Sequence, residues 1–296
     1  MCCLRNEERQ KALTINKRLN KSKSGKNVLV RAKRKLNIVT SAETLQTLIT
    51  SGDVRVVDVR KPEDYKLSHI KGAVSIPLSQ ILDNDSPEKI ISLLQNAGIS
   101  NDTPVVVYDD TFGALAARVA WTFQYVGHDN TSLLEVTFTK WKEMGFEIER
   151  KTNVYKHSNH DLRIRKEILA DANEVEYMKS NRDSHLVDTR ERLNFLTEHI
   201  PGATNLPYTM LGTVDTIMKK PSEIRRFMAN RGINPESDII TYCGSVGTLS
   251  GLAYYALKLG GAKKVKLYSK SFKDWKKLGK PIDEFKDANY WDLSAE

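Results

Sequence analysis

The chain has 296 residues, 40% hydrophobic and 28% charged, the balance of a globular protein long enough to bury two ordinary cores. No stretch approaches the roughly 18–20 consecutive apolar residues of a membrane span, and no apolar h-region follows the start, which speaks against a membrane-spanning or secreted protein. The formal charge of +9 is concentrated: residues 1–35 carry twelve Lys or Arg against Glu7 and Glu8, so the rest is close to neutral and does not read as a nucleic-acid or membrane surface.

Taken in chain order, residues 1–38 read as a basic, poorly ordered extension with few large apolar residues. Residues 39–149 read as a first domain. A helix ("SAETLQTLITSG") leads to a strand ending in Asp-x-Arg ("VVDVR", 56–60), then the turn and strand "HIKGAVSIPL" (69–78). A further helix ("PEKIISLLQNAG") leads to the strand of "VVVYDD". A helix, a strand ("TSLLEV") and a last helix carrying Trp141 complete the unit. Residues 150–165 lack a clear apolar period and read as a linker. Its His157 and His160 read as solvated polar residues rather than metal ligands, and no Cys/His spacing suggests zinc.

Residues 166–290 then repeat the first domain. "LVDTR" (186–190) and "HIPGATNLPY" (199–208) return at a shift of 130, and "NRGINPESDIITYCG" (230–244) and "FKDWKKLGKPID" (272–283) at a shift of 134. Four matching blocks in one order are not chance, and the period is that of a domain rather than a solenoid unit. Strands alternating with helices predict, in each copy, a doubly wound, mostly parallel sheet with helices on both faces.

Functional residues in such sheets belong at the carboxyl ends of strands. Cys243 stands at one, and the same place in the first copy is Asp109. The loop "CGSVGT" suits a thiolate. Gly244 and Gly247 let successive amides turn inward, Ser245 and Thr248 add hydroxyls, and Thr248 or Ser250 is placed to cap the next helix. The competing reading is a buried structural cysteine. A phosphatase loop of the Cys-x5-Arg type is excluded, because Leu249 stands at the arginine position and Tyr242 precedes the cysteine. Cys2, Cys3 and Cys243 make no disulfide framework, which points to a reducing compartment: the cytoplasm, with the mitochondrial matrix as the alternative.

Asp-x-Arg, "HIPGA", the strand into "YCGS" and the late Trp followed by Gly together resemble tandem rhodanese-type sulfurtransferases over about residues 40–285. The resemblance implies an inactive first domain and a catalytic second one. It implies that Cys243 takes sulfane sulfur from thiosulfate or 3-mercaptopyruvate as a persulfide and passes it to cyanide or a thiol such as thioredoxin or glutathione. It implies no cofactor and no metal. Arg190 matches the arginine that holds the anionic donor, and Gly244, Ser245, Val246, Gly247 and Thr248 form the loop around it. The loop lacks Arg or Lys, which favours the mercaptopyruvate type, yet it has Val246-Gly247 where that type has Gly-Val. Ser245 matches the serine of a relay whose other members fall on His69 and Asp64; for His69 a turn-stabilising role is the alternative, because "HI-x-G" occurs in both copies. The rival function is a catalytically silent rhodanese pair acting as a scaffold or regulatory binding protein.

Overall fold

The structure, a computed structural model, describes residues 35–178, 181 and 183–284, so most of the basic extension lies outside the described residues. The first repeat runs β1 (Val39–Thr40), α1 (Ala42–Ser51), β2 (Arg55–Asp58), α2 (Pro62–Leu67), β3 (His69–Ile70), β4 (Ala73–Ser75), α3 (Leu78–Asp83) and α4 (Pro87–Asn96). It continues with β5 (Val105–Tyr108), α5 (Ala114–Tyr125), β6 (Thr131–Leu134), α6 (Phe138–Glu143) and β7 (Ile148–Glu149). The second runs α7 (Ala172–Met178), β8 (Ser184–Asp188), α8 (Arg192–Thr197), β9 (Thr204–Asn205), α9 (Pro221–Asn230), β10 (Asp238–Tyr242), α10 (Thr248–Leu259), β11 (Lys264–Leu267) and α11 (Ser271–Lys277).

The first sheet has the order β1-β6-β5-β2-β4 and the second β11-β10-β8-β9, and every neighbouring pair within them is parallel. Leu169 bridges Leu267 in parallel, holding in the second copy the edge that β1 holds in the first. The β3–β7 ribbon of the first copy likewise returns as a His199–Asp283 bridge.

Period-two alternation along the strands sends side chains into different cores. From β2 and β5, Val57, Val105 and Val107 enter one apolar cluster, while Val56, Val106 and Tyr108 enter another with Trp141. From β8 and β10, Val187 and Ile239 enter the same first cluster, while Leu186, Ile240 and Tyr242 join Trp275. The central core is therefore shared by the two repeats, and each outer core belongs to one of them. Both faces of each sheet are covered, as the unbroken apolar strands require.

Helices α5 and α10 lie where the repeats meet. Eight consecutive residues of α10, Ser250 to Leu257, are buried, as expected of a helix enclosed on every side. Gly251 makes the close approach possible: a Cβ there would lie 3.3 Å from the Arg118 backbone nitrogen on α5.

Residues 150–165 are built against the first domain. Tyr155 packs under the Arg55 guanidinium and its hydroxyl donates to the Gly72 carbonyl (2.8 Å), while the Arg163 amide donates to the Val126 carbonyl (3.0 Å). His157 is exposed, as expected, but His160 is not solvated. His160 is buried, with its Nε2 3.1 Å from Nδ1 of the fully buried His128. A histidine thirty-two residues away supplies the partner, which a reading of the local polar composition does not reveal. Among the described residues no cluster of three or more potential metal ligands forms, and no helix is long and apolar enough to cross a membrane.

Candidate active site

Asp109 closes β5 and is buried. One carboxylate oxygen accepts the amides of Thr111 (2.8 Å) and Gly113 (2.9 Å), the other those of Leu115 (2.8 Å) and Ala116 (2.9 Å). The chain thus wraps a ring of four backbone donors around one anion, using the loop and the open first turn of α5. Burial raises the Asp109 carboxyl, and the four amides oppose that rise.

Cys243 closes β10 in the same way and is also buried. The amides equivalent to the Asp109 ring are those of Ser245, Gly247, Leu249 and Ser250, and among the described residues none meets an acceptor. Gly247 has φ +77°, close to the +85° of Gly113, although in the first copy the left-handed stretch begins one residue earlier, at Phe112 (φ +42°), which Val246 does not repeat. The Val246-Gly247 order is nonetheless the one the first copy also uses, with Phe112 before Gly113. Neither Thr248 nor Ser250 caps α10. The N-cap is Gly247 and no side chain caps the amides of the first turn.

The sulfur has a neighbour that the sequence does not advertise. Ser271, at the start of α11, is fully buried and has φ +59°, a left-handed step rare for a residue with a side chain. Its Oγ accepts the Cys243 amide (3.1 Å), donates to the Tyr268 carbonyl (2.9 Å) and lies 3.6 Å from Sγ. The next two amides, of Phe272 and Lys273, donate to the carbonyls of Cys243 and Gly244, both at 3.0 Å. The entry to α11 thus pins the cysteine backbone. The repeat register places Thr137 opposite Ser271; there the hydroxyl caps α6 by accepting the Lys140 amide instead. Only that register could have pointed to Ser271.

Arg190 lines a cavity of 640 Å³ beside the loop, with Gly244, Leu249, Phe272, Lys273 and Lys276. Its guanidinium grips Asp188: Nε at 3.0 and 3.1 Å from the two carboxylate oxygens, Nη2 at 2.6 Å. Nη2 also donates to the Glu198 carbonyl (2.6 Å), and the group lies over the Phe272 ring at 4.3 Å. Burial works against its charge, but Asp188 more than offsets this and raises the pKa. Its ion-pair partner is therefore the aspartate of its own Asp-x-Arg. Arg60 repeats the arrangement against Asp58, including the bond to a carbonyl, here that of Ser68. The pairing is thus a fold feature of both copies, while the charged face toward the Cys243 loop belongs to the second.

Gly244, Ser245 and Val246 are exposed at the mouth, Thr248 is half-buried, and Gly247 is buried. His69 and Asp64 do not join them. His69 is fully buried with Nδ1 on the Tyr65 carbonyl (2.7 Å), Nε2 on the Lys151 carbonyl (3.2 Å) and its ring stacked on Tyr65. Its twin His199 stacks on Phe195 and bonds that carbonyl in the same way, so the histidine of "HI-x-G" anchors a turn in each copy. Asp64 lines the first repeat's own 400 Å³ cavity with Arg60, Asp110 and Leu115. The relay expected through these two residues is not assembled: His69 is engaged within the first domain and Asp64 is exposed on that domain's own cavity.

A strand-end cysteine standing where the other half of a duplicated fold has an amide-bound aspartate can now be set beside known proteins. The rhodanese-like domain model matches residues 41–144 and 171–278. Over 276 residues the chain is 30% identical to the sulfur carrier protein TtuD of Thermus thermophilus, covering 83% of this chain and 96% of that protein. Over 270 residues it is 25% identical to the thiosulfate sulfurtransferase of Rattus norvegicus, covering 81% and 91%. The fold superposes on SseA of Escherichia coli, a 3-mercaptopyruvate sulfurtransferase, with a TM-score of 0.71 at 22% identity, over 80% of this chain and 99% of that one. The two matched segments, lying on the two halves of the duplicated fold, show that this chain belongs to the rhodanese-like domain family, as a tandem of two such domains.

Proposed function

We propose that the protein is a sulfurtransferase that carries sulfane sulfur as a persulfide on Cys243. The observation that carries this reading is the pairing of two strand ends. In the first domain four amides close on the Asp109 carboxylate; in the second the equivalent amides, of the loop and first turn that follow Cys243, meet no acceptor among the described residues. An aspartate places its charged oxygens two bonds beyond Cβ, and a persulfide places its terminal sulfur at the same remove. Asp109 is thus a built-in likeness of the loaded form.

The chemistry is nucleophilic covalent catalysis in two halves. With thiosulfate, the Cys243 thiolate attacks the outer sulfur. An S–S bond forms on Sγ, the donor's S–S bond breaks, and sulfite leaves with the electron pair. With 3-mercaptopyruvate the donor's C–S bond breaks instead; the carbon keeps the pair, takes the thiol proton and departs as pyruvate. Either way the product is Cys243–S–S⁻, and the ring of amides holds its charge without reorganising. In the second half an acceptor such as cyanide or a thiolate takes the outer sulfur and returns the thiolate. Arg190, held in place by Asp188, and Lys273 supply positive charge for the anionic donor, while Lys276 on the same cavity is paired with the Glu198 carboxylate.

The relatives support the class: one is named a thiosulfate sulfurtransferase and another a sulfur carrier. No cation stands in the loop between Cys243 and Leu249, so we propose 3-mercaptopyruvate as the preferred donor. Thiocyanate formation from each donor tests this. The expected result is activity with a higher kcat/KM for mercaptopyruvate, and its loss in Cys243→Ser. A higher kcat/KM for thiosulfate would overturn the donor preference, and equal activity of C243S would overturn the reading itself.

A further inference from the structure

Arg118 is an odd residue for its place. It sits on α5 among alanines, valine and aromatic residues, and Leu252 holds its position in the second repeat. It is buried at 6% exposure, and among the described residues no carboxylate pairs with it. Its Nε donates to the Val246 carbonyl at 2.9 Å, across from the first domain to the cysteine loop of the second. Nη1 donates to the Thr122 hydroxyl, which in turn donates to the Arg118 carbonyl (2.9 Å), so the side chain is locked from behind. Its Cδ would lie 3.3 Å from a Cβ at Gly247, and its backbone is what Gly251 rests on.

The Val246–Gly247 peptide is the one that matters in the loop. In a trans peptide the carbonyl and the N–H point in opposite directions. Holding the Val246 oxygen toward Arg118 therefore turns the Gly247 N–H away from it. In the first domain the matching N–H, of Gly113, meets the Asp109 carboxylate at 2.9 Å. We infer that Arg118 is a positioning residue: the first rhodanese domain uses it to aim the Gly247 amide at the sulfur carried by Cys243 and to place a buried positive charge behind that loop. This inference rests on the proposal that Cys243 carries sulfur.

Burial lowers the Arg118 pKa to about 10, with Asp85 and Cys243 acting in the other direction. It keeps its charge at neutral pH, and because Asp85 acts on it only without ion-pair contact, a further anion nearby would offset the cost of its burial. A persulfide in the amide ring supplies that anion. The first domain is then more than a spacer, because it completes the electrostatics of a site whose nucleophile it lacks.

Single-turnover loading, followed by intact mass after mixing with thiosulfate or 3-mercaptopyruvate over a range of concentrations, separates the possibilities. Arg118→Met is expected to slow loading at saturating donor by about tenfold to a hundredfold, the scale of losing an aimed donor, with the half-saturating concentration within about twofold of wild type. Arg118→Lys keeps the charge and one donor and is expected to recover most of the rate. A residue that only glued the domains together would lower the melting temperature without this split. Loading of R118M at the wild-type rate overturns the inference and leaves the sulfur-transfer reading intact, whereas failure of the wild type to load from either donor overturns that reading. If R118M does not fold, Thr122→Val decides, since it frees Nη1 while keeping the arginine. Slower loading than wild type is expected, and an unchanged rate contradicts the inference.

Discussion

Asp109 and Cys243 stand at the same strand end of the two repeats, and the ring of amides that closes on the Asp109 carboxylate has no acceptor around Cys243. One fold thus presents the same strand end twice, once closed on its own carboxylate and once carrying a thiol.

Filling the second ring with a carboxylate should reproduce the first. Cys243→Asp is expected to abolish thiocyanate formation and to raise stability by about 1–2 kcal/mol, because charge-assisted hydrogen bonds to four orphan amides outweigh part of the burial cost. Thermal unfolding of C243D beside C243S checks this. A C243D variant less stable than C243S would show that the second ring is not built like the first.

The twin arginines give an internal control. Arg60→Lys and Arg190→Lys each lose the same fork on a buried aspartate, and each is expected to cost about 2 kcal/mol or more in urea unfolding. Only R190K should raise the donor KM, by about tenfold, since Arg190 alone lines the cavity beside Cys243. Equal KM values for the two variants would assign Arg190 a purely structural role.

What the sequence makes legible follows from what repeats. Asp-x-Arg, the strand ends and the two tryptophans appear twice, so the register alone identifies the sheets and pairs Cys243 with Asp109. The residues it hides act across long separations. Ser271 reaches Cys243 only because α11 begins with a left-handed step, and Arg118 meets Val246 only because Gly251 lets α5 and α10 approach. His69 is legible too: its recurrence in "HI-x-G" favours a turn-stabilising role, and its ring nitrogens face carbonyls in a turn that both copies share. His160 looks solvated because its partner, His128, is remote in sequence.

That histidine pair sets an acid limit on stability. His128 is pushed down to about 3, by burial first and His160 second, and burial also lowers His160. Both folded values lie below the ordinary imidazole value of about 6.5, so the unfolded chain takes up protons first. The stability from this pair is complete above pH ~6.5 and is lost as pH falls toward 3, about 2 kcal/mol of it from His128 by pH 5. His128→Gln is expected to flatten the stability profile between pH 7 and 5. A profile with the wild-type slope would show that the pair is not the source.

The most direct measurement of the central claim is the intact mass of the protein after incubation with thiosulfate or 3-mercaptopyruvate, followed by peptide mapping. The expected result is a gain of one sulfur atom on the peptide carrying Cys243, absent from Cys243→Ser and removed by cyanide. No gain from either donor, or the same gain in C243S, would contradict it.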